Sequence, residues 1–98
     1  MICRLKFSVC CKDGMLHLRH ELDLPCVPRE GDWVGKEEAL IKVKALEITA
    51  ARGIYVRGCD HVGPVREDTQ QEWLVREGRA WESEGWIITG RKPWPTDL

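Results

Sequence analysis

The first 24 residues constrain the fold most, because apolar and polar side chains alternate on both sides of an Asp-Gly pair. Asp13-Gly14 suits a two-residue type I′ turn, in which both central residues adopt positive φ. A turn at this point predicts a β-hairpin that pairs Leu5 with Leu22 and buries one continuous apolar face. A slip of one residue would turn the whole apolar set outward, so the alternation determines which side chains face the core.

The opposite face of this hairpin is charged. The same register places Arg4 opposite Asp23 and Lys6 opposite Glu21. Opposite charges directly across a strand pair contribute about 0.2–1 kcal/mol each. The turn residues, the alternation and the charges therefore all predict the same pairing.

Two prolines end the second strand, because Pro25 and Pro28 cannot donate a backbone hydrogen bond to a sheet. The turn-forming residues 29–32 follow and make a corner of a barrel or sandwich. After the corner, Trp33-Val34 predicts a new short strand.

The next segment has two interpretations. Between residues 40 and 49, alternating β-branched side chains favour a strand, with a bulge where the alternation slips at Leu46. The overlapping segment 36–48 also has apolar residues at helical spacing, so a helix is the alternative there. A turn at 50–53, a strand at 54–57 and a loop at 58–65 follow.

A helix is predicted in the last third of the chain. Thr69 and Glu72 have the spacing of a capping box, and Gly85 is placed to end the helix. Gly78 lies inside it and costs about 1 kcal/mol relative to Ala, so we expect the helix to bend or end there. A strand at 86–89 and an extended tail at 91–98 follow.

The element order β-β-β-β-β-α-β predicts an α+β, mainly β fold. We expect a strongly bent antiparallel sheet or an SH3-like half-open barrel, with one C-terminal helix across an open end. Ninety-eight residues suit a single domain. Its parts are a β-sheet or barrel at 1–60, the helix at 67–84, and a strand with a Pro/Trp tail at 86–98.

Composition narrows the functional classes. The formal net charge of −1 makes a nucleic-acid partner unfavoured, because such a partner needs a basic face. The five cysteines include no CxxC pair, so we expect reduced thiols, no metal site and no cofactor. No apolar run approaches the roughly 20 residues of a membrane span, and the first residues lack the pattern of a secretion signal. These features predict a cytoplasmic protein without a membrane partner.

Enzyme-like residue types occur at a few positions. Cys59-Asp60-His61 combines a nucleophile, a carboxylate and a base in a Gly-flanked loop, but neighbouring side chains point apart and triad members usually come from separate elements. His20 is predicted on the apolar face, as a satisfied core residue or as a group in a pocket. His17 is predicted opposite Cys10, as an exposed pair with too few ligands for zinc. The catalytic candidates are Cys59, His61 and His20, although a protein without catalysis is favoured.

Tryptophan provides the remaining functional signal. Five Trp accompany only one Tyr and one Phe, and large rings with a polar group are favoured at interfaces. Core filling is the competing explanation, and it accounts well for the two Trp of the predicted helix. We therefore predict a small binding or adaptor module that forms a homo-oligomer and binds a protein or a small molecule. Its candidate contact residues are Trp33, Tyr55, Trp86 and Trp94. A small hydrolase or transferase with a Cys/His site and a nucleic-acid-binding small barrel are the alternatives.

Part of the chain resembles known proteins. LDLPCVPREGDWV, followed by IKVKALEIT and GIYV, is similar to uncharacterised small bacterial proteins that have a Leu-Pro-x-Val-Pro-Arg-x-Gly-Asp corner between strands. Similar proteins are encoded in mobile integron gene cassettes. The resemblance covers residues 1–60 and implies a compact β-rich protein, often oligomeric and without an assigned activity. It assigns no catalytic residue and does not extend to the Trp-rich C-terminal third.

Overall fold

In this computed structural model the described residues are 1–11, 14–36, 39–51, 53–63 and 70–92. One curled sheet holds their strands in the order β3-β4-β5-β1-β2-β7, and β6 also pairs with β1. The elements are β1 (Ile2–Cys11), β2 (Gly14–Asp23), β3 (Trp33–Lys36), β4 (Ala39–Thr49), β5 (Gly53–Gly58), β6 (His61–Val62), α1 (Gln70–Ser83) and β7 (Ile87–Lys92). The predicted α+β, mainly β fold with a half-open barrel and a C-terminal helix is confirmed.

β1 and β2 form the predicted hairpin with the predicted apolar face inward, but the register is shifted by two residues. Phe7 lies opposite Leu18 rather than His20, and Gly14 belongs to the strand rather than to the turn. The connection is therefore 12–13, which lies outside the described residues. A shift of two residues keeps every side chain on its own face, so the alternation cannot distinguish the two registers.

The observed register changes the charge pairs. Arg4 lies opposite Glu21 instead of Asp23, and its Nε is 3.4 Å from the Glu21 Oε1. Lys6 lies opposite Arg19 instead of Glu21. The predicted attraction of Arg4 to Asp23 is thus replaced by an attraction to Glu21. The predicted attraction between Lys6 and Glu21 is replaced by the juxtaposition of two like charges.

The sheet is mixed rather than antiparallel throughout. β5 and β6 both run parallel to β1, with Leu5 opposite Val56 and Val9 opposite His61. β5 pairs antiparallel with β4 on one side, and its other side lies against the edge of β1 that β2 leaves open. Relative to β1, the register of β6 is shifted by one residue from that of β5. Cys59-Asp60 therefore interrupts the parallel pairing along this edge of β1. The prediction of a loop from 58 is therefore wrong at His61–Val62.

The ambiguous segment is a strand. β4 pairs with β3 on one side and with β5 on the other, so a helix at 36–48 is wrong and tertiary pairing determines the structure of this segment. A register shift between Val43 and Ala45 confirms the expected bulge, slightly before the predicted position at Leu46. The corner after β2 is also as predicted, with β3 beginning at Trp33.

The helix ends where the sequence predicts. Gly85 has φ +94°, a left-handed conformation that glycine adopts without strain. Its N–H donates to the Glu82 carbonyl, and the Trp86 N–H donates to the Trp81 carbonyl at 3.1 Å. These are the two hydrogen bonds of a Schellman motif, and the accompanying ring contact joins Trp81 and Trp86 at 5.5 Å. α1 continues through Gly78, so a helix end there is wrong.

The centre of the core is aromatic. The Phe7 ring makes edge-to-face contacts with Trp81 and Trp86, with centroids 4.7 and 4.9 Å apart. His61 contacts Phe7 at 4.9 Å, and His20 contacts Trp86 at 5.3 Å. We call these five residues the aromatic cluster. It joins β1, β2, β6 and the C-terminal end of α1, so the helix and the sheet share one core.

Phe7→Ala should reduce the free energy of unfolding by about 3–5 kcal/mol, because it removes the ring at the centre of the aromatic cluster and leaves a cavity. Urea denaturation followed by Trp fluorescence measures the change. Val62→Ala is the control, since Val62 is 79% exposed and its truncation should change stability by less than about 0.5 kcal/mol. If Phe7→Ala costs less than about 1 kcal/mol, the assignment of this ring to the core is wrong. Phe7→Leu gives a smaller graded loss if Phe7→Ala does not fold.

Candidate functional site

The two faces of the sheet differ in what covers them. α1 contacts β1, β2 and β7, and its buried residues Leu74 and Trp81 belong to the core. The helix therefore covers the inner face at β1, β2 and β7. The opposite face, which we call the outer face, carries the polar residues of β1 and has no second layer among the described elements.

Three cations lie side by side on the outer face. Lys6 is the register partner of Arg19 on β2 and of Arg57 on β5. We call Arg57, Lys6 and Arg19 the cationic row. Neighbouring strands are about 4.8 Å apart, so the row spans roughly 10 Å across three strands. Among the described residues, the ion pairs involve Arg4 and the N-terminal ammonium group, and none involves the cationic row.

The row continues at both ends into small or apolar side chains. Ala45 of β4 is the register partner of Arg57, and Ile87 of β7 is the register partner of Arg19. Ile87 is 53% exposed. The outer face therefore presents three positive charges between two uncharged ends.

A mixed row lies on one side of the cationic row. Tyr55, Arg4 and Glu21 are register partners across β5, β1 and β2. The Arg4 guanidinium lies 5.7 Å from the centre of the Tyr55 ring, and its Nη1 donates to the Tyr55 hydroxyl at 3.4 Å. The Tyr55 hydroxyl and the Glu21 carboxylate raise the pKa of Arg4. Arg4 thus keeps its charge but is already paired with Glu21 and oriented by Tyr55, in contrast to Lys6.

Uncharged polar groups lie on the other side of the cationic row. The Ser8 Oγ and the His17 Nδ1 are 2.8 Å apart across β1 and β2. His17 therefore lies on the outer face as predicted, but its partner is Ser8 rather than Cys10. The Thr89 hydroxyl donates to the His17 carbonyl at 3.3 Å and fixes β7 beside this pair.

Three shallow hollows surround Lys6. The largest, about 630 Å³, is lined on the outer face by Arg4, Arg19, Tyr55 and Ile87, and it also reaches Leu5, His20 and Gly85. A second of about 370 Å³ includes Ser8, His17, Arg57 and Asp60, and a third of about 450 Å³ includes Ala45, Glu47, Tyr55 and Arg57. Since Lys6 lines all three, it is the central side chain of this surface.

The predicted Cys/His site is not assembled. Cys59 is half-buried, and its N–H donates to the Lys42 carbonyl at 2.8 Å. Asp60 is exposed and lines a hollow of the outer face. The His61 ring packs in the aromatic cluster. No hydrogen bond joins these three side chains among the described residues. His20 is half-buried against Trp86, opposite Leu5 on β1. The His61 ring therefore packs in the aromatic cluster, whereas the half-buried His20 both contacts Trp86 and lines the 630 Å³ hollow.

The four predicted contact residues have different environments. Trp33 is 62% exposed at the edge strand β3, and Tyr55 is half-buried on the outer face. Trp86 is 3% exposed, so it is a core residue and cannot form a contact surface. It is buried because its ring packs against Phe7 and His20 of the sheet as well as against Trp81. Trp94 lies outside the described residues.

A second surface feature lies at the corner after β2. A groove of about 320 Å³, which we call the corner groove, runs beside the exposed ring of Trp33. Its lining residues are Leu24, Pro25, Cys26, Pro28, Asp32, Trp33, Val34, Gly35 and Leu40. The Leu-Pro-x-Val-Pro corner thus forms both a turn and the wall of a largely apolar groove.

The cationic row was not predicted from the sequence. The predicted register placed Lys6 opposite Glu21, which would have neutralised it. The third member, Arg57, joins the row only through the parallel pairing of β5 with β1. The alternation of β5 could have indicated that Arg57 points outward, but no sequence pattern shows which strand lies beside it.

The described residues include no group of three or more His, Cys, Asp or Glu that could hold a metal ion. No helix in the described part of the chain is long and apolar enough to cross a membrane. No protein family, curated protein or solved structure matches the chain.

Cys26 should react first with iodoacetamide at neutral pH and Cys3 last. Cys26 is exposed, whereas Cys3 is fully buried and its burial raises the pKa of its thiol. Burial also raises the pKa of the Cys10 thiol, so its labelling should increase as the pH is raised toward that pKa. Peptide mass spectrometry at several times gives the order. Labelling of Cys59 ahead of Cys26 would show an activated nucleophile and would restore the enzyme hypothesis.

Proposed function

We propose that this protein is a small non-enzymatic binding module of the integron-cassette type, and that it binds an anionic ligand at the cationic row. The observation that carries the proposal is the alignment of Arg57, Lys6 and Arg19 on adjacent strands without an ion pair among the described residues. Like charges directly across a strand pair lower stability by about 0.2–1 kcal/mol. An anion bound over Lys6 would relieve both repulsions at once.

The distribution of charge supports this proposal despite the net charge of −1. From Glu72 to Glu84, α1 and the turn after it carry four glutamates and two arginines. The outer face of β1, β2 and β5 has Arg4, Lys6, Arg19 and Arg57 near their centre, with Glu21 already paired to Arg4. The helix side thus has an excess of acidic groups, and the centre of the outer face has an excess of basic groups despite the nearby Glu47 and Asp60.

Lys6→Gln should have opposite effects on stability and on binding. It removes two like-charge contacts, so the free energy of unfolding should rise by about 0.2–1 kcal/mol. It also removes the central cation, so binding of inorganic tripolyphosphate should weaken by about five- to tenfold at low salt. Urea denaturation and isothermal titration calorimetry measure the two changes.

Lys36→Gln is the matched control, because it makes the same charge change on the exposed edge strand β3. It should leave the tripolyphosphate affinity within about twofold of the unmodified protein. If the two variants weaken binding equally, the contribution is general charge rather than the cationic row. If the unmodified protein does not bind tripolyphosphate at low salt, the proposed function is wrong.

We also propose that the protein self-associates through the corner groove, with a second copy as the occupant. Trp33 supports this, because a large exposed ring beside an apolar groove is typical of interface hot spots. β3 is an edge strand of the described sheet, so two copies of β3 related by a two-fold axis have backbone groups available for pairing. The predicted contribution of Trp94 to an interface remains a prediction from sequence.

Trp33→Ala should lower the mass of the main species in solution, because it removes the central ring of the proposed interface. Multi-angle light scattering over a range of protein concentrations measures this mass. Ile2→Ala is the control, since Ile2 is 58% exposed but lies outside the corner groove. A monomeric unmodified protein at about 100 μM would exclude an interface of useful affinity at this site.

A further inference from the structure

We propose that the ligand of the cationic row is single-stranded nucleic acid. This inference rests on the proposed function and specifies the substrate class of the same surface. The net charge of −1 by itself makes a nucleic-acid partner unfavoured. The geometry of the outer face points to it, through the shape of the cationic track, the curvature of the sheet and the position of Tyr55.

The cationic groups form a track rather than a pocket. Arg57, Lys6 and Arg19 follow one another across three strands, and the hollows extend from them toward β4 on one side and β7 on the other. A compact anion would contact one or two of these side chains at a time. A chain of phosphates can contact all three in succession, because it continues beyond both ends of the row.

The curvature of the sheet favours a flexible strand over a duplex. The sheet curls around its core, so the outer face is on the convex side. A stiff duplex with a persistence length of about 150 base pairs would touch a convex surface over only a short length. A single strand can bend to follow the surface. The roughly 10 Å row is long enough for a few consecutive phosphates.

Tyr55 provides a platform for stacking. Its ring lies on the outer face two residues before Arg57 on β5, and the Arg4 guanidinium holds it in place through the 5.7 Å contact and the 3.4 Å hydrogen bond. Base stacking on an aromatic ring beside a basic groove is the general mode of sequence-independent single-strand binding. At the other end of the row, exposed Ile87 offers an apolar surface to a second base.

The nearby carboxylates confine the ligand to the row. Glu21 and Glu47 lie at the two ends of the row that contains Tyr55 and Arg4, and Asp60 lines the hollow on the opposite side of Lys6. A polyanion is repelled by these groups and attracted by the cationic row between them. Affinity should therefore be moderate and strongly dependent on salt.

The first experiment measures binding of a fluorescent oligothymidylate of about twelve nucleotides by anisotropy at several salt concentrations. Three phosphate contacts predict that log K falls with log salt with a slope of about −2, from about −0.7 per contact for single strands. Lys6→Gln should weaken binding about five- to tenfold and reduce the slope by about 0.7, while Lys36→Gln should do neither.

The second experiment tests stacking. Tyr55→Leu should weaken oligothymidylate binding about tenfold, whereas Tyr55→Phe retains the ring and should stay within about threefold of the unmodified protein. Neither change should alter tripolyphosphate binding by more than about twofold, because the phosphates contact the cationic row. Circular dichroism and urea denaturation confirm that both variants are folded.

Two comparison ligands test whether the surface prefers single-stranded nucleic acid to a duplex or to an acidic peptide. A duplex of the same length and an oligoglutamate peptide of the same charge should each bind at least tenfold more weakly than the oligothymidylate. Equal binding of the duplex, equal binding of the peptide, or equal loss in Tyr55→Leu and Tyr55→Phe would overturn the inference. If tripolyphosphate binds but oligothymidylate does not, the anion site stands and nucleic acid is excluded as its ligand.

Discussion

β1 is the strand on which the rest of the structure depends, because each of its faces has a separate role. Phe7 projects inward and contacts both Trp81 and Trp86, which ties the helix to the sheet. Its neighbour Lys6 projects outward between two arginines. Consecutive side chains of a strand point to opposite faces, so the burial of Phe7 forces Lys6 onto the surface. The core and the proposed site are therefore set by the same backbone.

The cationic row is a local conflict, because its like charges destabilise a fold that other features of the chain favour. Strand alternation and the helix stop at Gly85 both favour the observed fold, whereas three adjacent cations oppose it. Such conflicts are expected at functional sites, where stability and function make different demands. A bound polyanion would remove the conflict, because it would place negative charge over Lys6 between the two arginines.

The two proposed surfaces involve different strands and can operate independently. The cationic row lies on β5, β1 and β2, while the corner groove lies at β3 and the segment after β2. Self-association through β3 would leave the row accessible in each copy. Two copies would then present two tracks, and a strand long enough to reach both would bind more tightly than to either alone.

The sequence by itself determined which side chains face inward, where the prolines end β2 and where Gly85 ends α1, because periodicity and backbone preference are local properties. It could not determine the two-residue shift that places Lys6 opposite Arg19, since both registers bury the same face. Nor could it show that β5 lies parallel beside β1, that His61 joins the core, or that Trp86 is buried. Those features depend on contacts between residues far apart in the chain, and only the tertiary structure decides them.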